Sequence, residues 1–291
     1  MTFQIRTAIT GKLAKDAAGC VPSSKPIPFK RSQDIPLPYM WQDTKDGGTW
    51  KPTGSGASIL DPNFDWGKLA TWAWNYGDSS PDDALILDIE AIWPFLLDTK
   101  LDSVANYTQL TLDLLKTRPG FSGSVDAVIA EALRNVFERL LDDLARWGIE
   151  PGLYGIPNNR HPLIVLGTPE FERDYAWLFR RLRYTCPVLY PPNERTELAQ
   201  HVATVIVPRI RTALRLCPMA KCLPFVSPYA AGGGAADLPT DLVRLQIIAA
   251  KNAGAHGVIV WNHIDTKSQL ERWTLACLNL LSPAIEEVIE G

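Results

Sequence analysis

Basic stretches are missing from this chain of 291 residues, whose 29 Lys and Arg lie scattered among 32 Asp and Glu for a net charge of −3. That distribution lacks the electrostatic footprint of a nucleic-acid binder. Long apolar runs are missing too, with nothing near the roughly 18 residues of a membrane helix, so neither nucleic acid nor membrane is an expected partner. The opening Met1-Thr-Phe-Gln-Ile-Arg-Thr-Ala has no charged segment leading into an apolar one. The expectation is cytoplasmic synthesis without an export signal, with release or virion association as routes outward. Cysteine is scarce: Cys20, Cys186, Cys217, Cys222 and Cys277 are odd in number and show no C-x-x-C or zinc-like spacing. This sets aside a zinc site and leaves ordinary buried thiols. His161, His201, His256 and His263 are dispersed, and Gly232-Gly-Gly234 lacks the G-K-[ST] ending of a phosphate loop. No metal and no cofactor is expected.

What is present is a chain 46% apolar, enough for one large core, with ten Trp, a surplus that suits stacking against sugar faces. Residues 1–63 are rich in Pro, Gly, Lys and Ser and read as an irregular lead-in contributing a first strand near Ile35 to Trp41. Residues 64–291 read as one α/β domain. Helices are predicted near Asp65–Tyr76, Asp102–Lys116 and Ser124–Trp147, the last with Val128, Ala132, Val136, Leu140 and Leu144 on one stripe. Short strands then begin at Pro151, Cys186, Cys222 and His256, roughly 35 residues apart with helical sequence between them, and a last helix covers about Lys267 to Leu281. That is the rhythm of successive βα units in a TIM-like (β/α) barrel. Arg209, Arg211 and Arg215 fall on a predicted helix and read as a solvated face.

The chemistry concentrates in Ala84-Leu-Ile-Leu-Asp-Ile-Glu-Ala-Ile-Trp-Pro-Phe95. Four apolar residues in a row read as a strand buried on both faces. Alternation sends Asp88 and Glu90 to the same side, roughly 6–7 Å apart at their Cα atoms. Two like charges beside an apolar core resist joint ionisation, which keeps one acid protonated. Side by side on one strand, they do not flank a sugar from opposite faces as a nucleophile–acid pair does. The pairing suits substrate assistance: Glu90, farther along the strand, protonates the leaving oxygen, the substrate's own 2-acetamido carbonyl attacks the anomeric carbon, and Asp88 orients that amide. Such a pair also serves as helix caps or arginine partners in many proteins.

Aromatic and amide residues end the other strands. Tyr154 and Tyr190 can donate to an acetamido oxygen, and Trp261 can floor the site under the sugar methyl group. Trp93, Tyr229 and Asn158 are further substrate contacts, with Asn193, Asn262 and His263 behind them. Lys30, Arg31, Arg160 and Arg195 could line a groove for an acidic polymer.

In their order, these motifs resemble the hyaluronidase family of glycoside hydrolases from about Phe64 to Leu281. Phe64-Asp-Trp-Gly-Lys-Leu-Ala is similar to the family helix before its acidic strand. Leu85-Ile-Leu-Asp-Ile-Glu with Trp93-Pro94 resembles its D-x-E strand. Trp147-Gly-Ile-Glu-Pro-Gly-Leu-Tyr-Gly, Pro187-Val-Leu-Tyr190, Leu223-Pro-Phe-Val and Gly254-Ala-His-Gly-Val-Ile-Val-Trp261 resemble the strands that follow. The resemblance implies a distorted barrel of seven or eight strands, a polysaccharide substrate and retaining, substrate-assisted cleavage. It also implies Glu90 as acid with Asp88 as its partner, and Tyr190, Trp261 and Tyr154 around the acetamido group. Ala91 stands where the family carries a second acidic residue. Two alternatives stay open: a muramidase-like peptidoglycan hydrolase, and a non-catalytic glycan-binding or virion protein on a hydrolase scaffold.

Overall fold

The computed structural model describes residues 2–31, 34–37, 43–46, 49–52, 64–79, 84–89, 125–157, 164–191, 196–229 and 240–290. The chain forms two compact units: Met1–Phe29, Ala84–Leu87 and Glu150–Gly291 make one, and Lys30–Asp83 with Asp88–Ile149 make the other.

The strands are β1 (Gln4–Thr10), β2 (Lys25–Pro26), β3 (Phe29–Arg31), β4 (Asp43–Asp46), β5 (Thr49–Pro52), β6 (Ala84–Asp88), β7 (Glu150–Tyr154), β8 (Tyr184–Cys186), β9 (Lys221–Cys222), β10 (Phe225–Val226) and β11 (Gly257–His263). Apart from the β4–β5 hairpin they fall into two sheets, β10-β11-β1-β2 and β3-β6-β7-β8-β9. Two stretches of chain join these sheets. In Lys25–Arg31, Ile27 N donates to Thr7 O on one side, and Pro28 O accepts from Ile86 N on the other, both at 2.9 Å. In Lys221–Val226, Leu223 N donates to Thr185 O while Pro224 O accepts from Ile259 N, again at 2.9 Å. The hydrogen bonds therefore run a circuit of seven strand positions: β1, β2 with β3, β6, β7, β8, β9 with β10, and β11 back to β1. The registered pairings within it are parallel. This is a distorted (β/α) barrel.

Side-chain alternation divides its apolar residues into two layers. Ala8, Ile27, Ile86, Tyr184, Cys186, Leu223, Phe225 and Ile259 form an inner cluster. Val258 and Val260 of β11, Ile5 of β1 and Val226 of β10 turn the other way and join residues of the outer helices, among them Ile210, Ile247, Trp273 and Ile285. Those helices are Leu198–His201 running through a π turn into Val207–Leu216, Thr240–Asn252, and Lys267–Ala276 running through a second π turn into Ser282–Glu290. The last of them starts on a capping box: Thr266 accepts from Gln269 N at 3.3 Å, and the Gln269 side chain accepts from Thr266 N at 3.0 Å.

The first strand is Gln4–Thr10, not the Ile35–Trp41 segment. Ile35 and Leu37 are buried but belong to no strand, and residues 38–41 lie outside the described residues. β1 packs closely on β11. A Cβ on Gly257 would sit 2.2 Å from Gln4 O, and one on Gly11 (φ +97°) 2.4 Å from Ile264 O, so both positions need glycine.

In the second unit, the helices Trp66–Ser79 and Val125–Arg146 pack together. Leu69 and Ala73 are buried on the first; Leu133, Val136, Phe137, Leu140, Leu141 and Leu144 are buried on the second, at helical spacing. The Asp102–Lys116 helix expectation lies outside the described residues. Among the described residues, no helix is long and apolar enough to cross a membrane.

Candidate active site

The inner layer of the barrel unit becomes aromatic toward the carboxyl ends of its strands. Phe225 and Tyr154 meet edge to face at 4.9 Å, and Phe29 packs on both, at 5.7 Å from Phe225 and 6.2 Å from Tyr154. Tyr190 and Trp261 stack at 6.1 Å with 28° between their planes. Tyr154, Tyr190 and Trp261 are all partly buried and packed against the inner cluster. The Trp261 Nε1 atom is buried and has no hydrogen-bond partner among the described residues. In register with Trp261 across the barrel seam is the small Ala8. The structure thus brings Tyr190 and Trp261 together, and packs Tyr154 against the same inner cluster.

Beyond Trp261, the ends of β1 and β11 are tied by side chains. Thr10 Oγ1 lies 2.8 Å from His263 Nδ1, and His263 Nε2 lies 3.0 Å from Asp265 Oδ2. Asp265 Oδ1 also accepts from Lys12 N at 3.0 Å. That backbone donor, followed by His263, holds the Asp265 carboxyl below its ordinary range. Asn262 is buried and its Oδ1 accepts from His263 N.

Arg209 corrects the reading of its helix as a solvated face. Its Nη1 donates to Val188 O, just past β8, and burial holds its guanidinium below the ordinary range while the nearby Tyr154 phenol opposes that shift. Arg215 likewise donates to Ile164 O; only Arg211 of the three is exposed. Arg209 follows the buried Ile206 by three residues and precedes the buried Ile210 by one, a position at the margin of the apolar stripe that could have flagged it.

Tyr229 stands apart from these aromatics. It is buried in the outer layer, 6.4 Å from Trp273 and 4.3 Å from the Arg272 guanidinium.

In the second unit, Asp88 ends β6. It is 8% exposed, and its Oδ2 lies 3.8 Å from Arg31 Nε. Arg31, expected only as a groove cation, therefore supplies the counter-charge of the predicted site carboxylate. Its signal was the period of two in Phe29-Lys-Arg31, which gives Arg31 the same side of its strand as Phe29. Glu90, Trp93 and Asn158 lie outside the described residues, as do Arg160, His161, Asn193, Arg195 and Gly232–Gly234.

Among the described residues there is no cluster of three potential metal ligands. All five cysteines are free, four of them buried. Burial pushes the thiols of Cys186, Cys217 and Cys277 up and that of Cys222 to about 12, so these are inert packing groups rather than nucleophiles.

No protein-family sequence model matches the chain, and no curated protein sequence matches it. Solved structures do. Bee venom hyaluronidase in complex with a hyaluronic acid tetramer superposes with a TM-score of 0.67 at 17% identity, covering 89% of this chain and 86% of that one. A monoclinic crystal structure of bee venom hyaluronidase gives 0.69 at 15% identity, covering 98% and 99%. Identities this low carry the likeness of fold and leave the chemistry to the residues themselves. The chain has the distorted (β/α) barrel fold of bee venom hyaluronidase.

Proposed function

We propose that this protein is a glycoside hydrolase acting on N-acetylhexosamine-containing glycans by a retaining, substrate-assisted mechanism. The observation that carries the reading is the Tyr190–Trp261 stack at the carboxyl ends of the barrel strands, where this fold class builds its sites. Trp261 offers a flat apolar face for the acetamido methyl group, and the Tyr190 phenol donates to the acetamido oxygen. Glu90 protonates the glycosidic oxygen as the carbonyl of the 2-acetamido group closes on the anomeric carbon. Asp88, with Arg31 as counter-charge, accepts from the amide N–H and aligns it. Water then opens the cyclic intermediate with Glu90 as base, returning the original anomeric configuration. Further support comes from the fold shared with a hyaluronidase that was crystallised with a hyaluronic acid tetramer.

The test is Glu90→Gln against hyaluronan, chondroitin, chitin oligomers and peptidoglycan. The substitution is expected to lower kcat by roughly 10²–10⁴, the scale of general acid catalysis, on whichever glycan the parent cleaves. Parental turnover by Glu90→Gln would remove the assignment. Ala91, in the place of a second acidic residue, favours one other reading: a glycan-binding protein whose parent releases no product and whose binding survives Glu90→Gln.

A further inference from the structure

The Trp66–Ser79 helix carries Trp66, Trp72, Trp74 and Tyr76 in 14 residues; Trp66 packs on Phe64 and the Arg139 guanidinium, and Trp74 on Trp147. One side of it, together with Pro36, lines a cavity of about 590 Å³ within the second unit, with Asp65, Lys68, Thr71, Trp72 and Asn75 around the wall. Positions 68, 71, 72 and 75 fall on one stripe by the helical repeat, so most of the wall belongs to a single helix. Trp72 is held by stacking on Tyr76 at 5.9 Å with 24° between the planes, leaving its ring only partly buried. Asp65 and Lys68 pair at 4.0 Å, and each is well exposed. Lys68 is the one cation among the described residues lining the cavity, and that pairing leaves the wall with no net charge.

The wall therefore combines an indole face, an amide, a hydroxyl and a compensated ion pair. Those are partners for the C–H face and the hydroxyl and acetamido groups of an uncharged sugar, and they offer no free cation to a carboxylate. The depression is open to solvent, so it offers a surface for a sugar to lie on rather than an enclosure. None of these residues belongs to the Tyr154, Tyr190 and Trp261 cluster. We propose that this cavity is a second glycan-binding site, selective for uncharged N-acetylhexosamine units over uronic acids. The proposal rests on the glycan reading above for its class of ligand.

The experiment is calorimetric titration of N-acetylchitohexaose and of a hyaluronan hexasaccharide into Glu90→Gln protein, alone and combined with Trp72→Ala or Thr71→Arg. The second variant fills the cavity from an exposed helix position and guards against misfolding of the first. Each is expected to weaken N-acetylchitohexaose binding at one of two sites per chain about tenfold. In protein that retains Glu90, both variants are expected to cleave short substrates at the parental rate. Equal affinity of parent and variants overturns the site. So does a cavity that takes the hyaluronan fragment as tightly as the uncharged one, and so does a parent that binds neither. A parent that cleaves no glycan yet binds N-acetylchitohexaose through Trp72 removes the proposed activity while upholding the site.

Discussion

Trp261 and Trp273 lie 12 residues apart and belong to different worlds. Trp273 sits in the outer layer, 0% exposed, its Nε1–H donating to Ala17 O at 3.0 Å and its ring beside Tyr229. Trp261 sits on the inner side of β11, partly buried, stacked on Tyr190, its Nε1 without a partner among the described residues. Buried polar atoms ordinarily find partners, and this one has none among the described residues. On the proposed function, the contrast sets stability in the outer layer against binding in the inner one.

Trp273→Ala attacks the first half of that contrast and is expected to produce the largest effect, a loss of roughly 3–5 kcal/mol in urea unfolding, with the N–H bond to Ala17 lost as well. Trp261→Ala should cost well under half as much while abolishing glycan turnover. Equal destabilisation by the two would collapse the distinction. Tyr190→Phe sharpens it: the ring stays, the hydroxyl goes, and kcat on the cleaved glycan should fall roughly 10²-fold with an unchanged urea midpoint. An unaltered kcat would mean the phenol does not serve the reaction.

Thr266→Ala removes the capping box of the last outer helix. It should lower stability by about 1 kcal/mol and leave kcat alone. The smallest effect is a pH dependence. His201 is buried in the outer layer with Nε2 bonded to Leu189 O at 2.9 Å, and burial holds its pKa below the ordinary 6.5. His256 is shifted the same way, by burial and then by Lys221. Between 6.5 and the lowered folded values the unfolded chain binds more protons than the folded one. Stability should thus be level above about pH 6.5 and decline as pH falls through that window. His201→Gln should flatten the decline in urea midpoints measured from about pH 7 to about pH 5; an unchanged slope would assign it to other groups.

How much of this was legible depended on regularity. β6 announced itself through Ala84-Leu-Ile-Leu87, and the Val125–Arg146 helix through its stripe, because each buries a continuous apolar surface. Trp261 was legible for the same reason, since it continues the run of β11. β1 was not. Gln4-Ile-Arg-Thr-Ala-Ile-Thr10 mixes polar and apolar residues, and its partner β11 lies some 253 positions away, out of reach of any local pattern. Tyr190 and Tyr229 show the limit from the other side. Both adjoin a proline past the end of a strand, Tyr190 before Pro191 and Tyr229 after Pro228, where the period of two lapses, and one turned inward while the other turned out. Arg209 escaped because a charged residue in a helix reads as solvated until its partner is seen, and Arg31, read as a groove cation, kept its carboxylate partner hidden for want of any local pattern.

The seven-residue ladder between Gln4–Thr10 and Gly257–His263 has a consequence for how the protein comes into being. During translation the opening strand must wait, with one edge unpaired, until its mate has cleared the ribosome. Through that interval the nascent polypeptide exposes a sticky border to its neighbours, and the ring can shut only as a late event.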